Sequence, residues 1–301
     1  MAVTVLDKRL LDLVDEIVQV DKIATGYVFT EGPLWHPKER YLTFSDVRTR
    51  KMHRWNEKDG ASLFRDDDGS GPNGNTYDRN GMLITCEHNN RRLSRTRPDG
   101  SVESVVDRYQ GHRLNSPNDV ICTRNGDLIF TDPTYGLRQP DGSIVGQEYA
   151  FPGVFRYTPS TGGLRTIAED FEAPNGLVLT DDEAKMYIAD TRLHNVRVFD
   201  VAADGSLSNG REFADISYGD TVGRPDGMKL DSRGNLYVTA NVPQSVWVYD
   251  PDGTLLGFIE VGESAANCAW GGDDWQTLFV TANTSVYRLR LKVAGQPVYV
   301  P

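Results

Sequence analysis

The chain has 301 residues, 39% of them hydrophobic and 25% charged, the balance of a soluble globular protein. Its formal net charge is −11, from 32 basic and 43 acidic residues, which argues against a nucleic-acid partner, since phosphate binding needs a basic face, and leaves a cation open. Three widely spaced cysteines, Cys86, Cys122 and Cys268, give neither a disulfide framework nor a CxxC zinc pattern, and read as buried thiols.

The N-terminal stretch MAVTVLDKRLLDLVDEIVQVDKIATG has no uninterrupted apolar core and no small-residue cleavage site. No run in the chain approaches the length of a membrane span. The expectation is a cytoplasmic protein without a membrane partner. Leu10, Leu11 and Val14, at helical spacing, predict one short helix before the β region.

From there on, one pattern recurs. EGPLWHPKERYLTFSD starts at Glu31, NGNTYDRNGMLITCE at Asn73, NDVICTRNGDLIFTD at Asn118, NGLVLTDDEAKMYIAD at Asn175, DGMKLDSRGNLYVTA at Asp226 and NCAWGGDDWQTLFVTA at Asn267. Each copy is a polar residue, a short apolar strand, a turn, then a second apolar strand ending on a small or acidic residue. The starts are 42, 45, 57, 51 and 41 residues apart. Between them VFRYTP, VRVFDV, VWVYDP and VYRLRL alternate apolar and polar residues, and turn chemistry such as STGG and AADG follows. A four-stranded propeller blade needs about 40–50 residues. Six copies therefore predict an all-β fold: one six-bladed β-propeller domain spanning the chain, 1–301, whose closure hides its sheet edges. Two packed sandwiches would give no reason for a six-fold repeat. The Pro- and Gly-rich segment 133–153 explains the 57-residue spacing and is a candidate lid.

Equivalent positions of successive blades surround the axis of a propeller. The six starts, Glu31, Asn73, Asn118, Asn175, Asp226 and Asn267, all carry side-chain oxygens, two of them carboxylates. Such a cage suits a hard divalent cation: Ca2+ ahead of Mg2+, with Mn2+ or Zn2+ as other ions for the same oxygens. The five histidines are scattered and none pairs with a cysteine at zinc spacing, which argues against a histidine–cysteine zinc or copper centre. The ion could equally serve only as a staple between blades. A second ring of positions, Asp46, Glu87, Asp132, Asp190, Ala240 and Ala282, ends the second strand of each copy; its acids read as blade-edge caps.

TEGPLWHP at 30–37, PNGNTYDRNGMLITCEHNNRRLSR at 72–95, SPNDV at 116–120, FTDPTYGL at 130–137, PNGLVLT at 174–180 and RPDGMKLD at 224–231 resemble, in this order and spacing, the SMP-30/gluconolactonase/luciferin-regenerating-enzyme-like family. The resemblance runs from about residue 25 to 290, and the CEH followed by RR at 86–92 is similar to its bacterial gluconolactonase branch. It implies a six-bladed propeller that opens small lactones with a divalent metal, often calcium, at one end of the channel. The family's metal-binding glutamate falls on Glu31, its asparagines on Asn118 and Asn175, and its aspartate, also the proposed acid/base, on Asp226. Two positions depart from the animal lactonases of the family. Ser116 stands where they have a sugar-contacting arginine, and Gly136 lies near where they have a glutamate.

A lactone is an ester, so a cation that polarises its carbonyl and a carboxylate that takes a proton from water complete a hydrolase. Asp226 is the carboxylate of choice. Asp119, beside a ligand position, is a second candidate or else an Asx-turn residue. His88 reads as a proton shuttle, an oxyanion donor or a structural histidine. Asn73 and Ser116 are pocket candidates, as is Tyr135 of the insertion. No Gly-x-Ser-x-Gly elbow and no GxGxxG strand-to-helix turn is present, which leaves a serine triad and a dinucleotide cofactor unsupported. Two other readings use the same scaffold: a phosphotriesterase or paraoxonase-like esterase, and a non-catalytic propeller that binds a ligand or protein around a stapling cation.

Overall fold

The apolar–polar alternation after residue 20 becomes strand wherever it was expected. The computed structural model describes residues 2–66 and 69–298. Its strands form six four-stranded antiparallel blades arranged as a propeller. Blade I comprises Thr30–His36, Tyr41–Asp46, Lys51–Asn56 and Gly60–Asp66; blade II comprises Pro72–Tyr77, Leu83–Glu87, Arg92–Thr96 and Val102–Val106. Blade III is Val120–Cys122, Leu128–Asp132, Gly153–Thr158 and Gly163–Ala168; blade IV is Pro174–Leu179, Lys185–Asp190, Asn195–Val201 and Leu207–Asp215. Blade V is Pro225–Leu230, Leu236–Ala240, Ser245–Tyr249 and Leu255–Glu260, with the N-terminal strand Val3–Val5 added at its edge. Blade VI takes three strands from the C-terminal part, Ala265–Gly271, Thr277–Ala282 and Ser285–Arg290, and its fourth, Val20–Thr25, from near the N-terminus. Joining N-terminal and C-terminal strands in one sheet closes the ring of blades and leaves only their short outer edges.

The first strands of blades I to VI pack side by side in cyclic order, VI returning to I, and so line the axis. Apolar residues on the blade faces fill the spaces between blades: Leu42, Phe44 and Phe279 between VI and I, Phe130 and Phe155 with Ile84 and Leu93 between II and III. The expected helix is a single 3-10 turn, Lys8–Asp12, which buries Leu10 in the blade V–VI core beside Leu13 and Val14. No helix among the described residues is long and apolar enough to cross a membrane.

The second-ring acids are caps. Asp46 accepts from Val28 N and Phe29 N, Asp132 from Asn115 N and Ser116 N, and Asp190 from Glu172 N and Ala173 N. In each case a carboxylate at the end of a second strand ties down the chain entering its own blade. Glu87 is the exception: equally buried, it pairs with the Arg65 and Arg92 guanidinium groups instead of capping backbone N–H groups. All three cysteines are free thiols, Cys86 and Cys268 buried and Cys122 half-buried.

Candidate metal and substrate site

The six repeat starts enter the channel because the inner strands are irregular there. The register slips between Glu31 and Leu34, Pro72 and Asn75, Pro174 and Leu177, Pro225 and Met228, and Ala265 and Asn267. A bulge re-aims side chains relative to their strand; Asn73, Asn175 and Asp226 lie within these slips, while Glu31 and Asn267 border theirs. Asn118 lies just ahead of the inner strand of blade III, its backbone held by Asn118 N to Thr131 O and by Gly74 N to Asn118 O, each at 2.8 Å.

The residue after each start explains the recurrent glycine. A Cβ on Gly32 would fall 2.0 Å from Asn73 O, on Gly74 2.5 Å from Asn118 O, on Gly176 2.3 Å from Asp226 O, and on Gly227 2.0 Å from the Asn267 side chain. Each glycine thus lies against the ring residue of the next blade, and a side chain there would push the ring apart. Blade III has Asp119 at this place and blade VI has Cys268.

Hydroxyl groups one residue before the second-strand ends hold the ring from behind. Ser45 Oγ donates to Asn73 O at 2.7 Å, Thr131 Oγ1 to Asn175 O at 2.9 Å, and Thr239 Oγ1 to both Gly227 O and Ala266 O. Sequence reasoning passed over these residues, although the small hydroxyl recurs in YLTFSD, LIFTD, LYVTA and LFVTA.

At Asn73 the amide nitrogen is tied and the oxygen is left over, and at Asn175 the nitrogen is likewise engaged. Asn175 Nδ2 donates to Thr191 Oγ1 at 2.9 Å, and Thr191 Oγ1 donates to Pro225 O at 2.7 Å, which couples Asn175 to the backbone beside Asp226. Asn73 Nδ2 pairs with His88 Nε2 at 2.9 Å, and Asn73 Oδ1 is buried without a hydrogen-bond partner. Burial, with Arg48 nearby, pushes the His88 imidazolium down to about 4, so the ring is neutral and its Nε2 accepts. Asp119 Oδ1 accepts from Val120 N, the very next residue, at 2.9 Å, which is not the two-residue contact of an Asx turn, while its Oδ2 is buried and unpartnered.

Two carboxyls meet at the centre. Burial raises Glu31 to about 7, offset in part by Gly32 N and Asn267 and reinforced by Asp119. Asp226 is raised well above the ordinary range, by burial first and then by the charge of Glu31, whose carboxyl is within hydrogen-bonding reach. Asp119 is raised by burial and lowered by Lys229. Carboxyls crowded closely enough to raise one another's proton affinity fit a hard cation, which would take the place of the protons they otherwise hold. Among the described residues no cluster of three or more His, Cys, Asp or Glu side chains has the geometry of a metal centre. The carboxyls that meet here are Glu31 and Asp226, with Asp119 close enough to raise both.

The remaining sequence candidates sort by what their atoms touch. The Tyr135 hydroxyl stands 3.5 Å from Asn175 Nδ2, which brings the insertion to the ring. Ser116 is fully buried, and its hydroxyl is spent on the insertion: it donates to Pro133 O at 2.6 Å and accepts from Gly136 N at 2.9 Å. Ser116 therefore positions the loop rather than reaching into the channel. Gly136 packs so closely on Ser116 and His88 that a Cβ there would lie 2.8 and 2.9 Å from theirs. The segment 133–153 is further fastened by the Tyr149 hydroxyl on Asp132 and by Glu148 on Arg113 N. His36 accepts from Glu39 N in its turn, as packing and turn chemistry predict.

A cavity of about 690 Å3 opens at the other end of the channel, around Lys229, Trp270 and Gln296–Val298, and no ring residue lines it. Lys229 is three residues beyond Asp226, roughly 10 Å along a strand. Shifted carboxyls and unpartnered oxygens gather at the ring, so the ring is the better candidate for chemistry.

The family model for the SMP-30/gluconolactonase/LRE-like region matches residues 29–284. A gluconolactonase from Zymomonas mobilis is 33% identical over 317 residues, covering 97% of this chain and 87% of its own length. The pentonolactonase XacC of Haloferax volcanii is 29% identical over 256 residues, 83% of this chain and 80% of its own. The solved structure of a gluconolactonase from Xanthomonas campestris superposes with a TM-score of 0.87 at 33% identity, covering 97% of this chain and 95% of that one. With the bulge-set ring of blades I to VI and these matches together, the chain belongs to the SMP-30/gluconolactonase/LRE-like family.

Proposed function

We propose that the protein is a lactone hydrolase that opens the ring of a small lactone with the help of a divalent cation, Ca2+ first among the candidates. The observation that carries the reading is the pair Glu31, buried, and Asp226, half-buried, two carboxyls in hydrogen-bonding reach of each other at the irregular starts of their inner strands. The gluconolactonase and pentonolactonase relatives support the substrate class.

Glu31, Asn118, Asn175 and Asp226 would hold the cation, through two carboxylates and two amide oxygens. The bound ion supplies a Lewis acid that polarises the lactone carbonyl and steadies the oxyanion of the addition step. Asp226 takes the proton from the attacking water. The same carboxyl then returns it to the ring oxygen as the carbon–oxygen bond breaks, giving the open hydroxy acid. Asn73, with its nitrogen held by neutral His88, offers Oδ1 to a donor on the substrate. Tyr135 presents its hydroxyl from the insertion beside Asn175. Asp119 adds negative charge below the pair and, through Oδ2, a further acceptor.

The test is hydrolysis of glucono-1,5-lactone by metal-stripped protein. EDTA treatment is expected to abolish turnover and Ca2+ or another divalent ion to restore it. Full activity in a verified metal-free sample would overturn the metal-dependent mechanism. Failure on every lactone in a panel that includes five- and six-membered rings would overturn the substrate class.

A further inference from the structure

Asn267 differs from the other asparagines of the ring in how both ends of its amide are used. Its Oδ1 accepts from Cys268 N at 2.8 Å, and its Nδ2 donates to Glu31 Oε2 at 3.0 Å. Since Oδ1 faces an N–H, the amide cannot be turned round without loss of that bond, so the nitrogen is the end that faces Glu31. The side chain is buried and lies directly on Gly227, where a Cβ would sit 2.0 Å from it. It therefore has no room to swing away.

Glu31 Oε2 accepts a second hydrogen bond, from Gly32 N at 2.8 Å. Both N–H donors thus fall on one oxygen of the carboxyl, Oε2, and neither on Oε1. We infer that Asn267 is a positioning residue for the cation site: it withholds Glu31 Oε2 and presents Oε1 alone. The inference rests on the metal-dependent reading above. It also gives Asn267 a role unlike that of Asn118 and Asn175, because its own oxygen is already engaged by Cys268 N.

The contact has a place in the fold as well. Asn267 belongs to the blade completed by Val20–Thr25, and Glu31 to the blade that follows it around the ring. The hydrogen bond crosses the junction at which the first and last blades meet, so fixing Glu31 for a cation and joining blades VI and I involve the same pair of side chains.

A crystal structure of the Ca2+-loaded protein tests the stereochemistry. The expected result is coordination by Glu31 Oε1 only, with Asn267 Nδ2 retained on Oε2 and no Asn267 contact to the ion. Bidentate Glu31, ligation through Oε2, or Asn267 Oδ1 as a ligand would overturn the inference. An ion absent from Glu31 altogether would overturn the metal reading itself, which separates the two failures. Calorimetry on metal-stripped protein gives an independent readout. Asn267→Ala is expected to weaken Ca2+ binding about 10- to 100-fold, the usual effect of removing a partner that orients a metal ligand. In a Glu31→Ala background the same substitution is expected to cost less than about threefold, because the Glu31 carboxylate is no longer there to be held. Equal losses in both backgrounds would contradict action through Glu31. Should Asn267→Ala not fold, the wild-type crystal still decides.

Discussion

Gly176 lies against the backbone of Asp226: a Cβ on Gly176 would come within 2.3 Å of Asp226 O and 2.8 Å of Gly227 Cα. The neighbour is backbone, which cannot yield as a flexible side chain does. Gly176→Ala should therefore displace the inner strand of blade V and carry Asp226 with it. We expect a loss of about 1–3 kcal/mol in stability, the usual cost of overpacking, and a drop in Ca2+ affinity larger than the stability loss alone explains. Gly163→Ala is the control. Its Cβ would meet only Thr161 Oγ1, at 3.1 Å, on an exposed outer strand. Urea unfolding and calorimetry of both variants check the contrast, and equal effects would mean that ring spacing does not set the site.

Asp226→Asn tests the proton acceptor. The substitution keeps size and an amide oxygen but removes a charge and a base. Turnover on glucono-1,5-lactone should fall by roughly 10²–10⁴, the range for loss of a positioned general base. Metal affinity should also fall, since one of two cage carboxylates is gone. Rates measured at saturating metal separate the two effects. A variant that keeps both metal and rate would place the base elsewhere, with Asp119 next in line because its Oδ2 is buried and unpartnered.

His88 offers a third test. Its neutral ring accepts from Asn73 Nδ2, and protonation is pushed down to about 4 by burial and by Arg48. The sign follows: an imidazole whose native value lies below its ordinary 6.5 favours the fold above that value and loses this contribution as pH falls towards 4. The Asn73–His88 pair therefore stays intact through neutral pH, and its protonation should not shape the activity profile above about pH 5. His88→Leu frees the Asn73 amide. We expect kcat/KM to fall about 10-fold or more, chiefly through KM, with the pH profile unchanged in shape. A shifted acid limb would instead make His88 a proton carrier.

The ring was legible from the sequence because its signal is periodic. Glu31, Asn73, Asn118, Asn175, Asp226 and Asn267 recur at blade spacing, and one axis follows from one repeat. What each oxygen does was not legible, because it depends on partners distant in the chain. Asn267 and Glu31 are 236 residues apart, and Thr191 reaches both Asn175 and Pro225. Ser116 shows the same limit from the other side. Its position beside Asn118 made it a pocket candidate, yet the Pro133–Gly136 loop folds onto it and consumes its hydroxyl. Three of the second-ring acids, Asp46, Asp132 and Asp190, were legible as caps, since a carboxylate at a strand end next to a chain entry has backbone N–H groups to satisfy; Glu87, paired with Arg65 and Arg92, was not.

The carboxyl pair predicts an unusual pH dependence of stability when metal is absent. Glu31 has an ordinary value of 4.5 and a native value of about 7, raised by burial. The metal-free native state therefore binds the proton more tightly than the unfolded chain. This contribution to stability is full below 4.5 and is lost as pH rises through about 7. Glu31→Gln cannot ionise and lacks the slope. In EDTA, the wild type should lose about 1–3 kcal/mol relative to Glu31→Gln across this window. Asp132, also raised to about 7 by burial, is present in both proteins and cancels. Ca2+ binds the ionised carboxylate, so its stabilisation of the wild type should grow over the same window and remain small for Glu31→Gln. Urea unfolding at several pH values, with EDTA and with excess Ca2+, measures all four curves. Parallel curves for the two proteins in EDTA would show that Glu31 does not hold a proton in the metal-free fold. Equal stabilisation of both by Ca2+ would show that the ion does not use its carboxylate.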